Sequence, residues 1–507
     1  MRMHFIDGVY APTTMFGYHA VEDKGRRQAP LTTVKHERKI LTNTKAKKLL
    51  ATAQDQLRNH SLVAWMVRKH LDYVSKFHVG FRSGRPSVDS IVQRIFKWHG
   101  SPENLDIAKR LGRDEMFRLF ELEKVIAGDA ALVKLPRLKL QGVESDLIAK
   151  GSWGDRAVGG NDWKVWNELP ERGIGVNEST GERINFAICN RGNGSQVIFD
   201  HLEKAENIIF DGYWTRFTSQ DRGVSPLSTA INTVQDLNEA FEFNLIKAKM
   251  HALFGIAVMR NPAGTTDLGG AAGVTDETEE EEENDSDTHL DIIPDQINFL
   301  DMNPGEDVKI IESGTPSSEF VEASYLYVHL AMMSLDIPIT CFDSRRSSFS
   351  ARIADLNEYE VSCESKRTKN RYVRQAYSNW LLEQIWNTEN SAWRLKEIAS
   401  AVKMTLRDVQ EAVEWIPNGS PWLDKYKQAQ GEQLAISIGL DNAVDAARRR
   451  GGDVFQNIDK QAEVLNYAKS KGVPIAMITS GVRTAEETPD RGTSPGDSNA
   501  VAEPEQQ

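Results

Sequence analysis

The order of parts between Ser225 and about Trp386 constrains this chain more than any other feature. A helical pattern from Ser225 to Met259 runs into a Gly-rich and acidic insert, and a second apolar segment, Glu319 to Leu335, stops at Ile337-Pro338. A short loop, Asp343-Ser344-Arg345-Arg346-Ser347-Ser348, separates that segment from a third helical pattern ending near Trp386. In the first pattern Leu227, Ile231, Val234, Leu237, Phe241 and Leu245 recur at spacings of three and four and form one apolar stripe. Ser225-Pro226 opens it, since a Ser oxygen accepts from orphan N–H groups and Pro suits the first helical position. At roughly 1.5 Å per residue such a helix reaches on the order of 50 Å. One small core does not need that length, so the stripe predicts packing along another long helix, in this chain or in a copy of it.

The chain has 507 residues, 40% hydrophobic and 26% charged, enough to bury a core and to form two to four modules. A net charge of -12 disfavours a broad surface that grips nucleic acid, because such surfaces are basic, but it leaves room for DNA to slide past. Cys189, Cys341 and Cys363 lie far apart, with neither metal spacing nor a disulfide framework, as in a reducing compartment. Met1 to Asp7 lacks the apolar run of a signal peptide, and no segment approaches the roughly 20 apolar residues that span a bilayer. The expectation is a soluble chain made in a cytoplasm.

Ahead of the helical frame, the first fifty residues are basic (Lys24, Arg26, Arg27, Lys35, Arg38, Lys39, Lys45, Lys47, Lys48) and read as a flexible arm, or as one that binds a neighbouring subunit or phosphate. Helical spacing is expected from Lys45 to Val79, with Gly80 as a stop, and again over 94–120, with Ile107, Leu111, Met116, Leu119 and Phe120 as its apolar set. Val125-Ile126 and Ala131 to Leu135 read as a hairpin around Gly128-Asp129, and Arg183 to Cys189 alternates as a half-buried strand. A β-rich block between helical blocks makes an α+β protein. The insert, Gly269 to Gly273 followed by Glu279 to Glu283, Asn284 and Asp285, lacks the ligand spacing of a Ca²⁺ loop and reads as a solvated tip. Asp307 to Ile311 reads as a short strand. Three helices are expected at Leu423 to Ile438, Ala443 to Arg450 and Val454 to Lys471, and a disordered tail beyond Gly481.

Catalytic patterns are missing. There is no P-loop, no H-E-x-x-H, no G-x-S-x-G and no Rossmann fingerprint, and the histidines are scattered. No catalytic residue, metal site or cofactor is expected, and the residues favour a structural or interaction protein over an enzyme. Two basic features remain. Lys366, Arg367, Lys369, Arg371 and Arg374 read as a solvated face or an inter-subunit salt-bridge belt. The loop Asp343 to Ser348, with Arg352 beside it, could touch a polyanion without reading bases.

These parts, in this order, resemble the portal proteins of tailed bacteriophages, in particular the lambda-like type. Gln220-Asp221-Arg222-Gly223-Val224-Ser225-Pro226-Leu227 is similar to that family's "Q-x-R-G-V-x-x-L" before the stem helix. Leu57 to Leu62 and the helix after it resemble the N-terminal helix pair. Gly173 to Arg183 resembles the "G-I-x-x-D-x-x-G-R-P" hairpin, with Asn177 for the acid and Ile184 for the proline. Asn303 to Val308 and Pro316 to Val321 resemble the approach to the second stem helix, and Leu335-Asp336-Ile337-Pro338 the "L-G-I-P" before the tunnel loop. Ser347 to Arg352 is similar to "Y-S-S-x-R", and Trp422 to Lys427 with Ile438-Gly439-Leu440 to the C-terminal "D-P-x-K" and "G-L-x-T", with Lys425 where Pro is usual.

The resemblance implies a portal fold with long stem helices, β-rich wing and clip elements and a small helical crown. It places the N-terminal arm and wing at 1–222, stem helices at 223–260 and 317–338, and a clip with the acidic insert at 261–316. The tunnel loop follows at 339–350, the long helix and wing completion at 351–421, the crown at 422–478 and the tail at 479–507. It implies a homo-oligomeric ring, a dodecamer, at one capsid vertex of the virion. Its implied partners are double-stranded DNA without sequence specificity, terminase, head–tail connector proteins, and major capsid and scaffold proteins, with no membrane. Asp343, Ser344, Arg345, Arg346, Ser347 and Ser348 would face DNA. Two rival readings stand beside it: a DNA-binding regulator with a helix-turn-helix at 443–471, encouraged by Arg448-Arg449-Arg450, and a metal-dependent phage nuclease.

Overall fold

The computed structural model describes residues 5–6, 9–10, 35–153, 161–177, 179–192, 196–253, 256–260, 306–310, 317–388, 391–419 and 424–472. The Gly-rich and acidic stretches of the insert, the Asn303-Pro304-Gly305 motif, Trp422-Leu423 and the tail lie outside them. The chain divides into two units, Met1–Leu423 and Asp424–Gln507.

The first unit opens with the short pair β1 (Phe5–Ile6) and β2 (Val9–Tyr10), then α1 (Glu37–Ile40), α2 (Asn43–Asn59), α3 (Ser61–Val74) and β3 (Phe77–Phe81). The helical spacing expected over Lys45–Val79 forms two helices, and its end belongs to a strand. His60 separates the helices by leaving the helical region (φ -112°, ψ 111°), and Phe77, Val79 and Phe81 carry a period of two that suits a strand. Next come α4 (Pro86–His99), α5 (Pro102–Leu105) and α6 (Arg113–Ala127). The helix expected over 94–120 is interrupted after His99, where Gly100 ends α4 and Pro102 starts a new turn. Met116 and Phe120 are buried, whereas Ile107 and Leu119 are exposed.

The strands β4 (Asp129–Leu135) and β5 (Lys139–Val143) follow. The hairpin expected at Gly128-Asp129 is a helix end instead: Val125 and Ile126 lie in the last turn of α6, and Gly128 caps it at φ 100°. The turn that does reverse the chain is Pro136-Arg137-Leu138, where Arg137 and Leu138 take positive φ without the usual Gly or Asn. Beyond it lie α7 (Asn161–Glu168), β6 (Ile174–Val176), β7 (Arg183–Arg191), β8 (Val197–Lys204) and β9 (Ile208–Gly212). Two antiparallel three-stranded sheets result, in the orders β5-β4-β9 and β6-β7-β8.

The helical frame is α8 (Ile231–Leu253), the antiparallel pair β10 (Ile256–Arg260) and β11 (Glu306–Ile310), α9 (Ser318–Met333) and α10 (Phe349–Asn387). Here α8 is shorter than the stripe implied. A 3-10 turn, Pro226–Thr229, precedes it, and the β-prone Ile256-Ala257-Val258 leaves it for a strand, so its 23 residues reach about 35 Å. The unit closes with α11 (Leu395–Ala401), α12 (Leu406–Glu411) and β12 (Val413–Pro417), which pairs with β3 across the sequence. The protein is α+β, with helices predominating over small sheets.

The two largest hydrophobic clusters of this unit hold its helices together. One gathers Phe96, Phe117, Tyr377, Leu381 and Trp415 from α4, α6, α10 and β12. Two of the five basic residues on α10, Arg367 and Arg374, are buried, whereas Lys366, Lys369 and Arg371 stay partly exposed. Arg374 is buried, stacks over Phe77 (4.2 Å) and Phe117 (4.7 Å), and donates to Ser75 O at 2.6 Å. Two turns earlier, Arg367 donates to Tyr73 O at 2.7 Å and pairs with Glu360. Both guanidinium groups thus supply donors to carbonyls at the C-terminus of α3, where orphan acceptors and the helix dipole favour cations. Burial nevertheless pushes Arg374 down to about 9.

The second unit holds α13 (Lys425–Ser437), α14 (Ala443–Arg449) and α15 (Val454–Ser470). Gly439 (φ 76°) and Gly451 (φ 72°) follow the first two, as the sequence implied. Of its described residues only Ala446 and Ala468 are buried.

Candidate functional site

The second core lies under the paired helices and positions everything that follows. Leu227, Ile231, Val234 and Leu237 are buried, the first, third and fourth against Val328, Ala331, Met332 and Leu335 of the second helical segment. Farther along, Phe241 meets Phe320 of α9 edge-on (5.4 Å) yet stays 49% exposed, and Leu245 is 56% exposed. The apolar stripe is therefore buried within the chain for its first half only. Phe243, Ile246, Leu326 and Leu330 extend the exposed apolar surface over both helices.

The segment that leads into α8 is fixed by side chains whose role the sequence did not reveal. Gln220 holds its own loop: Oε1 accepts from Thr215 N (2.9 Å) and Arg216 N (3.1 Å), and Nε2 donates to Tyr213 O (3.1 Å). Arg222 is buried and donates to both Asp129 oxygens (2.7 and 2.8 Å), to Ile148 O (2.6 Å), Arg172 O (2.8 Å) and Ser145 O (2.8 Å). Burial pushes the Asp129 carboxyl up, but the Arg222 charge and hydrogen bonds outweigh it and hold the group below the usual carboxylate range. Gly223 donates to Asp129 Oδ2 (2.8 Å) and lies against Gly128; a Cβ on Gly128 would sit 2.6 Å from Gly223 C. Ser225 then donates to Val125 O (2.6 Å) and accepts from Leu227 N (3.1 Å). This run of residues welds the entry to α8 to the end of α6.

Beside the start of α8, α9 stops in a turn where Asp336 has φ 60°. An L-residue rarely adopts this conformation, which explains why the resembling motif has Gly there. The Asp336 carboxylate compensates by accepting from Ser362 (2.7 Å) and pairing with Lys366 (2.8 Å), while Lys366 also donates to Leu335 O (3.0 Å). Leu335 and Ile337 are buried on either side. The turn is thereby clamped to α10, and the loop after it starts from a fixed point.

In that loop a 3-10 turn, Ile339–Cys341, is followed by Asp343, whose Oδ1 accepts from both N and Nε of Arg345 at 3.0 Å. Arg346 donates to Glu322 of α9 (3.1 Å) and lies over the Tyr325 ring (4.3 Å). Ser344 and Ser347 close a local turn through Ser347 Oγ to Ser344 O (3.3 Å), and Ser348 caps α10 by accepting from Ala351 N (3.2 Å). So Asp343 and Ser348 organise the loop, Arg345 projects with an 89% exposed side chain, and Arg346 is held to α9. Among the described residues Arg352 has no ion pair.

The features behind the rival readings are placed differently. Arg448, Arg449 and Arg450 pair with Asp445, Asp441 and Glu432, so acids already meet all three cations. Among the described residues no group of three or more His, Cys, Asp or Glu is placed to hold a metal ion, and no helix is long and apolar enough to cross a membrane.

A helix pair rooted in a common core, with an arginine-centred weld before α8 and a clamped polar loop after α9 at the same base, defines a structural protein. The chain belongs to the lambda family of phage portal proteins, whose family model matches residues 24–367. A search of curated proteins gave no match. Solved structures similar to the chain come from gene transfer agent particles. A chain from the virion of the native particle is 12% identical, with 78% of this chain and 89% of that chain covered and a TM-score of 0.39. Chains from the neck of the empty particle and of the native particle are each 13% identical, covering 80% of this chain and 92% of theirs, with TM-scores of 0.40 and 0.39.

Proposed function

We propose that copies of this chain close into a dodecameric ring at a unique capsid vertex of the virion, made in the host cytoplasm, through which double-stranded DNA passes during packaging and ejection. The observation that carries this reading is the unfinished burial of the stem. Phe243, Leu245 and Ile246 on α8 and Leu326 and Leu330 on α9 are exposed in a single copy, and a heterologous contact repeated around a closed ring covers such a surface on every copy. The net charge of -12 suits a channel in which DNA moves, because each phosphate neutralised by Lys or Arg would hold it. The loop Asp343-Ser344-Arg345-Arg346-Ser347-Ser348 is the surface assigned to DNA, with contacts to phosphate and none to bases. Terminase supplies the energy from outside and docks with connector proteins on residues 261–316; scaffold and major capsid proteins meet the ring's outer surface.

Light scattering and electron microscopy of the purified chain test this. The expected result is a large ring with a central hole. A stable monomer or dimer, unchanged when scaffold protein is added, overturns it.

A further inference from the structure

We propose that the cleft beside α7 and β6 is the docking site of the chain's own N-terminal arm, residues 1–34, in the same copy. The cleft has a volume of 940 Å³ and a mixed lining that includes the apolar Val165, Leu169, Val176 and Ile184 and the polar Asn177 and Ser219. Ile184 is half exposed there although it belongs to a sheet strand. A smaller cavity of 230 Å³ adjoins it, and the two share Arg38, Pro170 and Asp221.

The chain itself arrives at this cleft. His36 and Arg38 line it and lie 3.8 and 3.9 Å from Asp221, Glu37 N donates to Ser219 O (2.9 Å), and Arg216 donates to Lys35 O (2.6 Å). Thirty-four residues therefore precede a point pinned at the mouth. Fourteen residues separate Val21 from Lys35 by number, a reach of about 45 Å when extended, so the arm can return along the cleft. A tether this short gives an effective concentration on the order of mM, enough for a weak contact to be occupied.

The chemistry is complementary as well. Met15, Phe16, Tyr18 and Val21 offer apolar and aromatic groups for the apolar lining. Lys24, Arg26 and Arg27 offer cations for Glu168 and Glu171, two exposed acids at the cavities with no ion pair among the described residues. Because rim charges contribute little each, the apolar groups set the affinity and the charges set the direction of the arm.

Hydrogen exchange tests the proposal on the assembled protein. Deleting residues 1–34 should speed exchange at Val176 and over Arg183–Asn185 by tenfold or more, and a synthetic peptide of residues 11–34 should restore it. Phe16→Ser with Val21→Ser, which removes apolar groups from the arm and leaves the cleft intact, should speed exchange at the same amides without deletion. Unchanged exchange in the deleted chain overturns the proposal. In assemblies mixed from full-length and deleted copies, only full-length copies should be protected; equal protection of both overturns docking within one copy. Ring formation is scored separately, so its failure is not confused with an empty cleft.

Discussion

Replacing Arg222 with Met removes the charge at the base of the stem while keeping much of the side chain's volume. It leaves Asp129 buried with Ser145 Oγ and Gly223 N as remaining donors, and it removes a donor from the carbonyls of Ile148, Arg172 and Ser145, of which Ser145 O keeps Ile148 N. Breaking one partner of a buried pair costs about 3–5 kcal/mol, and the fully buried geometry here places the expected loss in that range at pH 7. The sign of the pH dependence follows from Asp129. In the native protein its carboxyl is held below the usual value, so it contributes stability above the unfolded pKa and loses that contribution as pH falls. Without Arg222, burial is the dominant influence and raises the group, so the variant is penalised at neutral pH and relieved as the carboxyl protonates. The gap between the two proteins should therefore be widest near pH 7 and narrow towards pH 4. Urea midpoints at both pH values measure it, with hydrogen exchange at Leu227 and Val234 as a local readout. A loss below about 1 kcal/mol, or a gap of constant size across this range, would refute the argument.

Asp336→Ala keeps the strained φ of 60° and removes the bonds to Ser362 and Lys366, for an expected loss of about 1–2 kcal/mol once solvent screening of this half-exposed pair is discounted. Asp336→Gly relieves the strain and should cost less; the reverse order of urea midpoints refutes this. Glu123 accepts from Ser145 N, but burial and then the neighbouring Glu144, Asp146 and Asp129 push it up to about 7. Since its unfolded pKa is lower, the native state loses stability as pH rises from about 4.5 to 7. Glu123→Gln should accordingly be more stable by on the order of 1–2 kcal/mol at pH 8, with the gain vanishing below pH 5 in thermal scans. Replacing Arg345 and Arg346 with Ala should reduce the yield of DNA-filled heads more than the yield of rings, and normally filled heads would count against a DNA-facing loop.

What could be read from the sequence followed from local physics. Helices α9 and α10 and the three C-terminal helices carry continuous spacing and Ser, Asp or Asn caps, the last three also carry Gly stops, and all lie close to the expected bounds. Errors arose where one signal serves two structures. Gly128-Asp129 reads equally as a hairpin turn or as a left-handed helix cap, and the sequence offers nothing to separate them, because the partner strand of Asp129–Leu135 is β5 through a turn that lacks Gly. Phe77–Phe81 was absorbed into the preceding helix because its partner, Val413–Pro417, lies more than three hundred residues away.

The site divides along the same line. The Gln220 to Leu227 motif was visible as a pattern, and the Ser225 cap was visible as chemistry, but the reason for Arg222 is Asp129, 93 positions earlier. Arg374 shows the opposite case. Charged residues are rarely buried, so a basic run on a helix reads as solvated, yet Phe77, Phe117 and Trp415 reach Arg374 from three separate elements and enclose it. One local signal was present: Arg374 lies beside Val373 and one turn before Tyr377 and Ser378 on the buried face of α10. A cation flanked by that face, opposite a helix C-terminus with free carbonyls, has a partner wherever the fold brings the two together. In this protein it is α3, which also contributes Met66, Val67 and Leu71 to the core on which the start of α8 and the end of α9 pack.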